Sequence, residues 1–517
     1  MAATDNGEDW KKKSERKWCL PGKYKTGAGK SGARNLLTDL FFKEATCENA
    51  TFSDCAEAET VFIDSHQTLK GCNSEVIGTW RYLVKALLND ALYTSRTYRN
   101  VNTYVLSFDR QKCVSFAKAV EQLERTMASM AGEGSSALSG FCIGELDDPL
   151  GDGFSAAIND RDYWVPEIIR HCVIRWATDC PPEFLREGHR LIVNGHALRY
   201  GDIPNVGVHP DAPLVITKRK GQFVVDFLDD LANQQGESDL AMLWLLDEVV
   251  PNNSTVLLYS VDSDLMWYLL RLLEKSRNHF EIYLRYWPGL AWCASKNALP
   301  QIREKQNQKW IHINRLKELM QSYEPMRMLP LEHRISSWFV LGAAGGNDFV
   351  DTLPKVPVHH FIAAFLNNME YIGDLVIGRN AQDIRLNAQS YARLIECAVE
   401  QSHLRGGKLY IVGESEKRKP RSPLYPTETG MQYRALHLDY VLLMMNSIGE
   451  SYFIEPNLSE WGYGRIDRGK FVSRLNLCRL HNDDDPDEWG FQPGLPSFSK
   501  RGKAHPSQGE EEGMGEE

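Results

Sequence analysis

The sequence predicts an α/β fold, a mostly parallel central sheet flanked by helices, on three observations. Apolar runs of strand length alternate with longer stretches of helical periodicity. Several of the strand-like runs stop abruptly on aspartate. The composition, 43% hydrophobic and 25% charged over 517 residues, is that of a globular chain long enough for two or more domains, or for one domain with large insertions.

Residues 1–35 are polar, basic and Gly/Ser-rich, and read as a flexible segment. They contain TGAGKSG at 26–32. A phosphate-binding loop ending on Gly29-Lys30-Ser31 would need glycine at 24, where Tyr24 stands, and no apolar strand precedes it. ETVFID (59–64) then predicts a buried strand, and IGTWRYLVKALLNDAL (77–92) a helix. NTYVLSFD (102–109) predicts a second strand, and SFAKAVEQLERTMASM (115–130) a second helix, closed by the Gly/Ser-rich break GEGSSALSG. Residues 130–230 show little periodicity and read as a long insertion. Regularity returns with DLAMLWLLDEVV (239–250) as a helix, STVLLYSVD (254–262) as a strand, DLMWYLLRLLEK from 264 as a helix and HFEIYLRYW (279–287) as a strand. Residues 310–400 read as mostly helical, and 361–490 as a mainly helical C-terminal region. ESEKRKPRSPLYP (414–426) reads as an exposed basic loop. The polar stretch 491–517, ending GEEEGMGEE, predicts a disordered acidic tail.

No apolar run is long enough to span a membrane, and no signal peptide is recognisable, so no membrane partner is expected. Eleven cysteines lie scattered without a CxxC pair. That pattern points to a reducing, intracellular compartment, cytoplasmic or nuclear, and away from disulfide or zinc-finger frameworks. The Asn49 and Asn253 sequons then carry no meaning. A net charge of −10 does not exclude nucleic acid, because binding depends on local patches and a metal site itself gathers carboxylates.

The acidic residues fall at particular places. The first strand ends on Asp64 and the second on Asp109. The 239–250 helix is entered through GESD, with Glu237 and Asp239. The next strand ends on Asp262 and Asp264, and WFVLGAAGGNDF puts Asp348 after a further apolar, Gly-rich run. Taken alone, Asp262 and Asp264 admit two readings: a turn residue followed by an N-cap, or a pair of metal ligands. As an ordered set of seven, the carboxylates would repel one another at the carboxyl edge of a sheet, where α/β folds bind ligands, unless cations lay between them. Mg²⁺ or Mn²⁺ suits hard oxygen ligands. Two such ions roughly 4 Å apart can stabilise both the attacking and the leaving oxygen of a displacement at phosphorus.

In this order, FIDS, SFDR, GESD, SVDSDLM and GGNDF, the motifs resemble those of the structure-specific 5′ nucleases: flap endonucleases, XPG-like repair nucleases, herpesvirus host-shutoff RNases and Xrn-type 5′→3′ exoribonucleases. The resemblance covers roughly 59–130 and 230–360. It implies a PIN-like core over 36–360, with 130–230 as an arch- or cap-like insertion. It implies that Asp64, Asp109, Glu237, Asp239, Asp262, Asp264 and Asp348 hold two Mg²⁺ or Mn²⁺ ions. It further implies that Lys118 and Arg125, with Gln122 between them on one helix face, hold the scissile or 5′-terminal phosphate. The bland reading of these three residues is a solvated helix face. GGNDFVDTLP looks like the exoribonuclease form of the last motif. The chain departs from the family in a long stretch before the first strand, in FDR where FDG is usual, in its long 130–230 segment and in the lack of clear hairpin glycines after Asp348. The last departure favours RNA or single strands over duplex DNA. Lys218, Arg219 and Lys220, just ahead of GESD, are expected to touch nucleic acid by placement. KRKPR at 417–421 reads as a solvated loop.

The expected activity is therefore metal-dependent hydrolysis of phosphodiester bonds in RNA, or in single-stranded or flapped DNA, from or near a 5′ end. The alternatives are a non-catalytic nucleic-acid- or protein-binding module of the same fold, and a nucleotide-sugar transferase using Asp262-Ser-Asp264 alone. The first is disfavoured because all seven positions remain acidic, and the second leaves Asp64, Asp109, Glu237 and Asp348 unexplained. His359-His360 and the His171, Cys172 and Cys180 group lack zinc-site spacing. Most of the thirteen tryptophans, Trp244 and Trp267 among them, are expected in the core.

Overall fold

The computed structural model describes residues 57–71, 78–109, 141–151, 163–260, 262–286, 309–346, 358–405 and 428–454, with shorter pieces beside them. The 115–130 helix, Lys118, Gln122, Arg125, Asp348, the basic loop at 417–421, residues 1–35 and the acidic tail lie outside the described residues.

Nine strands form one sheet in the order β1-β9-β8-β7-β2-β3-β4-β5-β6. They are β1 (Thr46–Glu48), β2 (Thr60–Asp64), β3 (Thr103–Ser107), β4 (Arg190–Asn194), β5 (Leu214–Arg219), β6 (Gln222–Phe227), β7 (Ser254–Tyr259), β8 (Phe280–Tyr286) and β9 (Lys309–His312). The central run β8-β7-β2-β3-β4 is parallel throughout, and antiparallel pairs close both flanks. The fold is thus mixed α/β around a largely parallel sheet, as the alternating pattern predicts. The four strands read from sequence are neighbours in the middle of it.

Around the sheet lie α1 (Ser65–Gly71), α2 (Trp80–Ala86), α3 (Asn89–Thr97), α4 (Trp164–Ala177), α5 (Ser238–Val249), α6 (Ser263–Lys275), α7 (Ile313–Ser322), α8 (Leu331–Ala344), α9 (Val358–Asn367), α10 (Ala388–His403) and α11 (Glu428–Asn446). Side chains alternate faces along each strand, and the core divides accordingly. Phe62, Val105, Ile192, Leu258 and Ile282 face one apolar cluster with α5, α6 and α8–α11. Ile63, Leu106, Val193, Leu257 and Tyr283 face the other with α2–α4.

Two expectations need correction. Residues 190–227, inside the stretch read as an insertion, supply β4, β5 and β6 and so extend the sheet itself. The 77–92 helix is two helices, the first starting at Thr79, whose hydroxyl accepts from the Tyr82 amide; the chain breaks at Leu87-Leu88 with no glycine or proline to mark it. The 310–400 region is mostly helical as read, with strand β9 at its start and a short antiparallel pair, Val376–Ile377 with Arg385–Leu386, between its helices.

Candidate functional site

Because β2, β3, β4 and β7 run parallel, their carboxyl ends share one edge of the sheet. There Asp64 of β2 stands in register with Ser107 of β3, and Ser107 with Asn194 of β4. Asp64, Ser107 and Asn194 continue the parity of Phe62, Val105 and Ile192, so their side chains belong to the face covered by α5 and α6. All three are buried, as is Ser260 just past the end of β7.

Two helices begin at this edge. The N-cap of α5 is Glu237, whose own carboxylate does not cap the helix. Instead Asp109, two residues past β3, accepts from the Ser238 amide at 3.0 Å, so a neighbouring strand end satisfies the first turn of α5. The N-cap of α6 is Asp262, whose Oδ1 accepts from the Asp264 amide at 3.0 Å. The capping reading of that pair holds with one correction: Asp262, not Asp264, is the cap. The positive ends of two helix dipoles therefore point into the carboxylate group and lower the cost of gathering it.

A chain of hydrogen bonds runs through the group. The Asp262 amide donates to Ser260 Oγ at 3.1 Å, and the Ser260 hydroxyl donates to Asp64 Oδ2 at 3.1 Å. The Ser238 hydroxyl donates to Asp64 Oδ1 at 3.4 Å, while the Ser107 hydroxyl donates to the Ser238 carbonyl at 3.1 Å. Beyond Ser238 lies Asp109, whose Oδ2 is 3.3 Å from Nε2 of buried His66. The phenol of Tyr268, fully buried one turn into α6, reports the field of the group. Its pKa is held well above the usual tyrosine value by burial and by the negative charges of Asp264, Glu237, Asp239 and Asp262.

Six of the seven predicted carboxylates are thus brought to one edge, and Asp348 lies outside the described residues. Among the described residues, no group of three or more His, Cys, Asp or Glu side chains lies close enough together to hold a metal ion. The donors that are present are carboxylate and hydroxyl oxygens, the set that fits a hard divalent cation rather than zinc or copper.

The sequence matches no family model and no curated protein.

The basic hairpin is elsewhere. β5 runs antiparallel to β4, with Thr217 opposite Arg190 at the start of β4. Lys218, Arg219 and Lys220 therefore sit at the amino edge of the sheet, about 17 Å or more along the strands from the carboxylate row. There Arg219 pairs with Asp226 at 3.3 Å, Lys218 Nζ stands 5.6 Å from the centre of the Phe223 ring, and Glu187 accepts from the Lys220 and Gly221 amides. Nearness in sequence to GESD does not bring the hairpin to the site, because a full strand and a return loop intervene. Sequence reasoning missed Ser107, Ser238, Ser260, His66 and Asn194. The one available signal was Ser260, a polar residue two before Asp262 in an otherwise apolar strand.

Among the described residues, no helix is long and apolar enough to cross a membrane.

Proposed function

We propose that the protein is a divalent-metal-dependent 5′ nuclease with a PIN-like core, hydrolysing phosphodiester bonds in RNA or DNA at or near a 5′ end. A nucleic acid partner and an intracellular place of action, cytoplasmic or nuclear, belong to the same reading. What supports it most is one observation: acidic segments separated by as many as two hundred residues meet at the carboxyl edge of β2, β3 and β7, joined through Ser238 and Ser260. Buried carboxylates of one sign tolerate such crowding when cations balance them.

Asp64, Asp109, Glu237, Asp239, Asp262 and Asp264, with Asp348, are the residues that would hold Mg²⁺ or Mn²⁺. When bound, such ions activate water and stabilise a leaving 3′ oxygen. The chain's own groups would do the rest. The serine hydroxyls and the two helix amides fix the carboxylates before substrate arrives, so little reorganisation is left for the reaction. Lys118 and Arg125 would neutralise the phosphate and Gln122 would orient it.

The test compares 5′-phosphorylated single-stranded RNA, single-stranded DNA and a DNA flap, each with Mg²⁺, Mn²⁺ or EDTA. Asp262→Asn is the informative variant, because asparagine keeps the N-cap while removing the charge. Cleavage that needs metal and falls at least 100-fold in the variant is expected. Absence of cleavage on every substrate with either ion would favour the non-catalytic binding module.

A further inference from the structure

Asp64 is held differently from its acidic neighbours. It is 4% exposed, and each of its two carboxylate oxygens receives a serine hydroxyl from a different element. Ser238, in the first turn of α5, serves Oδ1, and Ser260, between β7 and α6, serves Oδ2. Neither hydroxyl is incidental to its segment. Ser260 Oγ also accepts from the Asp262 amide while its own proton goes to Asp64 Oδ2. Ser238 uses its amide on Asp109 and its carbonyl on Ser107, which leaves its hydroxyl to Asp64. Both serines are buried, at 5% and 8% exposure. An ionised carboxylate offers about four acceptor directions, and two hydroxyls from different elements, one on each oxygen, set its orientation.

We infer that Ser238 and Ser260 are positioning residues that clamp the Asp64 carboxylate in the orientation in which it would hold a hard divalent cation. The inference rests on the metal reading given above. Removing either hydroxyl takes away one of the two bonds that fix the carboxylate against the repulsion of the acidic groups gathered at the same edge. Groups that orient a ligating side chain characteristically change metal affinity by 10- to 100-fold when removed. The same two hydroxyls couple the segments carrying Asp109, Asp262 and Asp64. Loss of either should therefore weaken binding without removing any ligand.

Direct Mn²⁺ titration of the full-length protein, by calorimetry or by the paramagnetic resonance of free Mn²⁺, tests this without relying on activity. Wild type, Asp64→Asn, Ser238→Ala, Ser260→Ala and Ser260→Thr are compared, with thermal melting as the control for folding. Ser238→Ala places a better helix former in a helix and keeps its backbone bonds, so it remains informative should Ser260→Ala fold poorly. The expected result is a 10- to 100-fold weaker Mn²⁺ affinity in each alanine variant at near-native melting temperature. Ser260→Thr, which keeps the hydroxyl, should stay within about threefold of wild type. Wild type that takes up no Mn²⁺ overturns the metal reading and this inference together. Wild type that binds, with affinity lost in Asp64→Asn but unchanged in both alanine variants, overturns the inference alone.

Discussion

Gly195 follows the last residue of β4 with φ at +80°, and a β-carbon built there would lie 2.0 Å from the Phe108 carbonyl oxygen. The close approach lets the end of β4 press against the end of β3, where the Phe108 amide donates to the Asn194 carbonyl at 3.2 Å, one residue before Asp109. Any side chain must both strain the backbone and push Phe108 away. Gly195→Ala is expected to cost about 3 kcal/mol or more by denaturant unfolding, and to weaken Mn²⁺ binding by displacing Asp109. A Gly195→Ala protein with unchanged stability would mean that the β3–β4 junction is slack. Lys220 gives a smaller effect of opposite sign. It holds φ at 51° at the tip of the β5–β6 hairpin, beside Gly221 at +79°. Asparagine adopts this conformation more readily than lysine does. Lys220→Asn should therefore stabilise by about 0.5–1 kcal/mol and leave Mn²⁺ binding and cleavage as they were, since the hairpin stands at the far edge of the sheet. A several-fold loss of cleavage in that variant would restore the hairpin to a substrate-binding role.

At the scale of elements, α2 and α4 pack through His171, whose ring stands edge-on to Trp80 at 5.2 Å. Burial pushes the His171 pKa down to about 4, with Arg175 adding to the effect against Glu145 and Asp179. The unfolded chain takes up a proton near pH 6.5, whereas the folded one resists until about 4. Between those values the unfolded state binds more protons. Stability therefore falls on acidification, by at most about 1.4 kcal/mol per pH unit from this group. His360, pushed down to about 4 by burial with His359 beside it, acts in the same direction. His171→Gln should flatten the dependence of unfolding free energy on pH between 4 and 6.5, and an unchanged slope would remove His171 as a cause. Legibility in the sequence also divides by element. β2, β3 and β7 are buried on both faces toward their carboxyl ends, so they read as apolar runs, and the aspartates at or just past those ends were visible as the points where the runs stop. β5 and β6 lie at the sheet's flank and carry Lys218, Arg219 and Asp226, which dilute the signal of a strand. The serine clamp was illegible for another reason. Ser238 and Ser260 are common residue types whose role exists only once β2, α5 and β7 are adjacent. The two glycines of GGNDF are explained by packing and backbone: a β-carbon on Gly345 would meet Val358 of α9 at 2.4 Å, and Gly346 has φ at +107°.

On the scale of the whole molecule, the helix that presents Asp262 and Asp264 at one end is fastened at the other to the C-terminal region. Arg271 of α6, buried, pairs with Glu274 at 3.0 Å and donates to the Ala381 carbonyl and to Asn446 at 3.0 Å. Lys275 donates to the carbonyls of Asn446 and Ile448, satisfying the end of α11. The first apolar cluster is continuous from Phe41 to Ile448, so α10 and α11 complete the core under α5, α6 and α8 rather than decorate it. Two outcomes are expected. Arg271→Met strands Glu274, whose carboxyl burial already pushes upward in pKa, and should destabilise the protein by about 3 kcal/mol or more. A chain ending after Asn367 loses Leu394, Leu438 and Met445 from that cluster and leaves a large apolar face bare. It should lack a cooperative melting transition and associate on gel filtration, and Mn²⁺ binding should disappear with the fold, although the truncation removes none of the seven carboxylates. A shortened chain that is monomeric, melts cooperatively and still binds Mn²⁺ would show instead that the carboxylate edge stands on the sheet and α1–α9 alone, with α10 and α11 free to serve another purpose.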